Sequence, residues 1–147
     1  LIAAAAHQGY EIFADMMEEA YAKGLPSALK AFEGTGRAYL AFARKYPGHY
    51  MAMFESGLNL AAHPQVADVA LRAKAVQDMA AAGLAAQLPE GRRPPAAMFS
   101  AHVWAMSHGV VELFMRGQNR SPFPPEDLLE TGIGIYLRGL GLLSPDR

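Results

Sequence analysis

The stretch AHVWAMSHGVVELF, residues 101–114, decides how the chain is read. Its apolar residues recur at helical spacing, with no period-2 alternation. Yet Glu112 is the only residue in it certain to carry charge. On a wheel at about 100° per residue, Phe99, Val103, Val110 and Phe114 fall on one side, predicted to face the core of their own subunit. Roughly opposite lie Ala101, Ala105 and Gly109, one turn apart, with Glu112 after them. Small residues in register leave a smooth channel that another helix backbone can approach closely. Trp104 and His108 border it on one flank, His102 and Met106 on the other. The helix is therefore predicted to be sandwiched. Its second neighbour is either the last helix of the same chain or a two-fold mate completing a four-helix bundle.

The last helix extends the pattern. Leu128, Leu129, Gly132, Ile133, Tyr136 and Leu140 make a wide apolar arc, broadened by Ile135 and Leu137. Glu130, Thr131 and Arg138 are its clearly polar residues. Two adjacent helices with so little water-facing surface favour a homodimer. The expected interface takes Ala101, Ala105, Gly109 and Glu112 from one, and Leu128, Gly132, Ile135 and Tyr136 from the other.

Upstream, Pro and Gly divide the chain into further helices. The first is predicted over residues 2–23, with Ile2, Ala6, Tyr10, Phe13, Met17 and Tyr21 on one face. Gly24 sits where a left-handed C-terminal residue is expected, and Pro26 suits the first turn of the next helix. That helix carries Phe32, Thr35, Tyr39, Phe42 and Tyr46 on one face, with Lys30, Glu33, Arg37 and Arg44 opposite, and Pro47 breaks it. A short helix follows with Tyr50, Met53 and Phe54 on one side. His63-Pro64 opens a long helix in which Asp68 can pair with Arg72 one turn on. LPEGRRPP is a loop, the helix of the quoted stretch runs from Ala96 to Arg116, GQNRSPFPP is a loop, and Pro125 starts the last helix. About six helices without strands predict an all-α bundle, residues 1–147 forming one domain.

Composition narrows the function. Of 147 residues, 52% are apolar and 18% charged, a balance that calls for a second chain or a cavity to cover apolar surface. Net charge is −1 and no basic run exceeds Arg92-Arg93, so these residues are not expected to grip nucleic acid themselves. No stretch is long and apolar enough to cross a bilayer. The absence of cysteine excludes disulfides and fits a reducing compartment, so a cytoplasmic location is expected.

Aromatic and methionine residues mark a candidate small-molecule pocket. Tyr39, Phe42, Tyr46, Tyr50, Met53 and Phe54 come from two consecutive helices whose apolar faces converge. Met79, Phe99, His102, Val103, Trp104, Met106 and His108 are expected to face them. Such a lining suits a hydrophobic or weakly polar ligand; the other reading is ordinary core. His102 and His108 are six apart and point to different sides of a helix, with no acid in ligand spacing, so no metal or other cofactor is expected. Ser107 adjoins His108 but points elsewhere, and no nucleophile elbow exists. No enzyme is expected; a catalytic base at His108 or His49 is the remote alternative.

Two segments resemble a known family. YLAFARKYPGHYMAMF is similar to a segment of TetR-type transcriptional regulators, through Tyr39, Phe42, Ala43, Pro47, Tyr50, Met53 and Phe54. WAMSHGVVEL resembles the signature of the WHG-type C-terminal domain of that group, through Trp104, His108, Gly109 and Leu113. The resemblance implies a homodimeric repressor that dimerises through its last two helices and holds a lipophilic inducer. It implies an N-terminal helix-turn-helix domain for operator DNA, roughly 45–50 residues of three-helix reader that has no counterpart in this sequence. Residues 1–23 are then expected to be the connecting helix, and operator contact to come only through that domain. The alternative is a free-standing helical small-molecule-binding protein with no DNA role.

Overall fold

Local chemistry sets where each helix begins and ends. In a computed structural model, which describes residues 1–115 and 121–144, the chain forms α1 (Ile2–Gly24), α2 (Ala28–Lys45), α3 (Pro47–Phe54), α4 (Pro64–Ala85), α5 (Ala96–Met115) and α6 (Pro125–Leu140). There is no strand among the described residues, and short 3-10 turns lie at Leu60–Ala62 and Glu90–Arg92. The all-helical architecture expected from the apolar periodicity is the one observed. The expected last helical residue Arg116 and residues 117–120 of the following loop lie outside the described residues.

Prolines stand at three helix starts. Pro47 is not only a stop for α2 but the first residue of α3, where a missing N–H costs nothing. Pro64 opens α4, and Pro125 opens α6 with Glu126 and Asp127 against the positive end of the helix dipole. Pro26 differs from expectation. It lies outside α2 because Ser27 takes the N-cap, its Oγ accepting from the Lys30 N–H at 3.1 Å. The end of α6 is a Schellman turn: Gly141 has φ 88°, its N–H donates to the Arg138 carbonyl, and the Leu142 N–H donates to that of Leu137.

The chain divides into two compact units, Leu1–Gln77 and Asp78 onward. In the first, α1 packs on α2 and α3 with Ala6, Tyr10, Phe13, Ala14 and Met17 buried. Gly24 does not adopt the left-handed conformation the sequence suggests. It closes α1 as an ordinary helical residue, and a Cβ there would sit 2.3 Å from the Ala31 Cα. Close approach of two backbones, not a positive φ, requires glycine. Arg72 of α4 also departs from expectation. It donates through Nη2 to Asp15 and Glu18 of α1, rather than to Asp68 one turn back. A guanidinium on a long stem reaches a neighbouring helix as easily as its own.

In the second unit the last turns of α4 meet α5 through the Ser100 hydroxyl, which donates to Asp78 at 2.5 Å. Arg93 is spent on structure: Nε donates to the Leu88 carbonyl at 2.9 Å and Nη2 to that of Ala86 at 3.2 Å, satisfying acceptors just past the end of α4. Phe99, Val110 and Val111 of α5 and Leu129 and Leu137 of α6 are buried. Val103 and Phe114, predicted to join them, are only half-buried, and Ser107 is buried instead with its hydroxyl bonded to the Val103 carbonyl at 2.9 Å.

The glycines separate steric need from helix propensity. Gly24→Ala is expected to destabilise the chain by about 1–3 kcal/mol through overpacking. Gly36→Ala, inside α2 where an added Cβ meets nothing within 4 Å, should instead stabilise by up to about 1 kcal/mol. Urea unfolding of the two variants measures both signs.

Candidate functional site

Aromatic rings from three helices meet in the first unit. On α2, Thr35, Tyr39 and Phe42 follow at spacings of four and three and share a buried face. On α3, Tyr50 and Met53 turn inward, with Phe54 half-buried beside them. α1 supplies the hub. The Phe13 ring lies edge-on to Tyr39 (5.4 Å, 83°), tilted on Phe42 (5.0 Å, 44°) and edge-on to Phe54 (6.4 Å, 88°). Tyr10 meets Phe54 edge-on at 5.7 Å, and Tyr50 is tilted on Phe54 at 4.8 Å. Edge-to-face pairs place positive ring edges on negative ring faces, which contributes beyond the area buried.

Few polar atoms lie inside this cluster, and they are paired. The Tyr39 and Tyr50 hydroxyls are 2.8 Å apart on side chains 1% and 0% exposed. Tyr10 donates to the Met53 carbonyl at 3.3 Å, and Thr35 to that of Phe32 at 2.7 Å. Burial pushes the Tyr10 phenol above its usual value of 10.0, because the phenolate would lose hydration. A pair of phenols in an aromatic surround can hydrogen-bond a hydroxyl or carbonyl while rejecting charge. Tyr46 sits at the margin, half-buried and tilted on Phe42 at 5.4 Å and 30°. The six residues expected from α2 and α3 are thus together. Tyr10 and Phe13 also belong, although the sequence places them only on the connecting helix. Their helical period was visible in the sequence, but what their face would meet was not.

The residues expected from α4 and α5 occupy the second unit. Phe99 is fully buried with its ring 5.7 Å from that of Tyr136. His102 Nδ1 lies 2.8 Å from the Tyr136 hydroxyl, joining a residue expected in a pocket to one expected in an interface. Burial raises the Tyr136 phenol pKa as well. Trp104 stacks on His108 at 5.5 Å and 21°, and His108 Nε2 lies 3.7 Å from Glu112. Val103 and Met106 are half-buried, whereas Met79 is 50% exposed.

The small-residue channel is open in the single chain. Ala101, Ala105 and Gly109 are exposed, and a Cβ on Gly109 or Gly132 would meet nothing within 4 Å among the described residues. Trp104 (40%) and Ile135 (65%) expose large apolar side chains on α5 and α6, while Leu128 is half-buried. Elsewhere, a shallow groove of about 590 Å³ lies between the end of α1 and α2, bordered by Lys23, Lys30, Glu33 and Arg37. Among the described residues no three of His, Asp and Glu cluster as a metal would need, and no helix is long and apolar enough to cross a membrane.

Residues 32–136 match the family described as tetracyclin repressor-like, C-terminal domain. The fold is similar to a solved structure described as a protein with unknown function from Rhodococcus sp. RHA1, with TM-score 0.79 and 19% identity over 94% of this chain and 70% of that one. No curated protein matches.

Two measurements probe the cluster. Tyr39→Phe leaves one buried hydroxyl short of its partner and should cost about 1–3 kcal/mol, with Tyr39→Phe/Tyr50→Phe costing less than twice that; a double-mutant cycle by urea unfolding reads the coupling. Tyr10 holds its proton more tightly folded than unfolded, so its contribution is complete below pH 10.0 and is lost as pH rises through and beyond that value. Tyr10→Phe should flatten this alkaline fall in stability.

Proposed function

The chain belongs to the tetracyclin repressor-like C-terminal domain family, and on that premise we propose that it is the ligand-sensing and dimerisation domain of a transcriptional repressor. The observation that carries the reading is the open α5 face. Ala101, Ala105 and Gly109 are exposed, and so are the large apolar side chains of Trp104 on α5 and Ile135 on α6. A self-complementary face of this kind is covered by a second copy under two-fold symmetry, helix against helix. Glu112, Leu128, Gly132, Ile135 and Tyr136 complete the proposed interface.

The inducer in this reading is neutral and largely apolar, held among the rings of α2 and α3 near Tyr39, Tyr50 and Met53. α1 shares that cluster through Tyr10 and Phe13. A molecule that binds better to one arrangement of those rings therefore binds better to one position of α1. It shifts the balance only by that difference in affinity. A DNA reader joined ahead of α1 would feel the shift, because paired readers must sit about 34–36 Å apart to match one turn of operator DNA. A small tilt of each α1 spoils that spacing and releases the operator. The protein then works in the cytoplasm, where its operator is.

Sedimentation tests the carrying observation. The chain is expected to be a dimer at micromolar concentration and Gly109→Leu a monomer. The variant should keep its helix content, since an added Cβ meets nothing within 4 Å among the described residues and leucine is the better helix former. Emission of Trp104, the only tryptophan, should shift to the red as dimers separate. A Gly109→Leu chain that remains dimeric removes this face from the interface.

A further inference from the structure

α1 is attached to its neighbours in two chemically different ways. Toward α2 and α3 it presents buried rings and aliphatic side chains. Toward α4 it presents Asp15 and Glu18, and both carboxylates converge on Nη2 of Arg72. Asp15 and Glu18 are three residues apart on one helical face, a like-charge placement that by itself weakens α1. Arg72 turns that repulsion into two attractions. Hydrogen bonds to Asp15, and then to Glu18, raise the guanidinium pKa above its usual value, and a guanidinium stays cationic with or without them. The neighbouring acids of α1 have other contacts: Glu11 pairs with His7 at 2.9 Å and Glu19 with Lys23 at 2.9 Å.

We propose that Arg72, Asp15 and Glu18 form a salt-sensitive latch that sets the position of α1 on α4 and opens without disturbing the aromatic core that joins α1 to α2 and α3. The exposure of the three side chains, 43%, 70% and 47%, decides the strength. Exposed ion pairs are individually weak and screened by salt. A contact of this strength holds a helix in one place most of the time and still lets it leave. Burial of the ring cluster has the opposite character, since its loss would unfold the unit. The latch therefore puts the movable seam at α1 and α4. Its role in signalling rests on the reading of α1 as the sensing arm; its existence does not.

The test needs neither ligand nor DNA. The chain has no cysteine, so Ala22→Cys and Ala75→Cys, both exposed, give two unique spin-label sites on α1 and α4. Labelled chain is diluted with unlabelled chain so that distances within one molecule dominate. At low salt one narrow distance population is expected. Arg72→Met, which keeps the aliphatic stem, and about 1 M salt should each broaden it, raising the displaced fraction roughly 2- to 30-fold, as expected for two exposed pairs. The charge swap Arg72→Asp with Asp15→Arg should restore the narrow population in part. Helix content and the Tyr39–Tyr50 coupling should stay as in the parent. An unchanged distribution in Arg72→Met overturns the latch, and so does global unfolding of that variant, which would make the contact a stability element. A failed latch leaves the dimer and its Gly109 dependence intact, so the two readings fail separately.

Discussion

Phe13 is the constraint on which the first unit depends. Its ring touches Tyr39 and Phe42 on α2 and Phe54 on α3 at centroid separations of 5.0–6.4 Å. One side chain thus correlates the positions of three helices. Close-packed interiors shift between discrete arrangements more readily than they deform. Anything that repositions Tyr39 or Phe54 must therefore reposition α1 or open a gap beside Phe13. The glycines reinforce this. Gly9 lets Met53 and His49 close on α1, where a Cβ would lie 2.6 Å from the Met53 sulfur, and Gly24 lets α2 close on its far end. Tight at both ends and locked at the centre, α1 and its two neighbours form a stiff group.

Polar groups within that group are arranged to discourage charge. The Tyr39–Tyr50 hydroxyl pair and the Tyr10 phenol are satisfied by each other or by a backbone carbonyl, and an ion placed among them would lose hydration that nothing present replaces. Asp15 and Glu18 of α1 lie outside, bonded to Arg72 of α4. Stiffness and adjustability are thus segregated onto different faces of the same helix. The second unit divides α5 in a similar way. Phe99, Val110 and Val111 are covered within the chain, while Ala101, Ala105 and Gly109 are not. Tyr136 ties α6 to α5 at both Phe99 and His102.

Much of this was legible in the sequence because it is local. Pro47, Pro64 and Pro125 mark helix starts through fixed φ and a missing donor, which depend on nothing distant. The 3.6-residue period of Tyr10, Phe13 and Met17, and of Thr35, Tyr39 and Phe42, determined which sides would be buried. The row Ala101, Ala105, Gly109 was evident as one helical face from spacing alone, and its three residues are exposed. The motifs that resemble the TetR-type regulators lie in these same helices, in a segment that matches that family over residues 32–136.

Tertiary structure decided the partners. Periodicity assigns a residue to a face but does not say which helix that face meets. Phe13 was therefore visible as apolar and invisible as the hub of the aromatic cluster. Gly24 carried a signal for a left-handed turn, yet its role is to admit the backbone of Ala31, a contact between residues seven apart whose geometry is set by how two helices cross. Arg72 had an acid one turn back on its own helix and bonds across to Asp15 and Glu18 instead, because a long flexible cation follows the local field, which exists only after α1 and α4 are brought together. The sequence by itself determined the helices, the starts that proline marks and most of their apolar faces. Packing alone decided which faces meet, since that choice minimises exposed area and unpaired polar groups over the assembled chain, quantities that no local window contains.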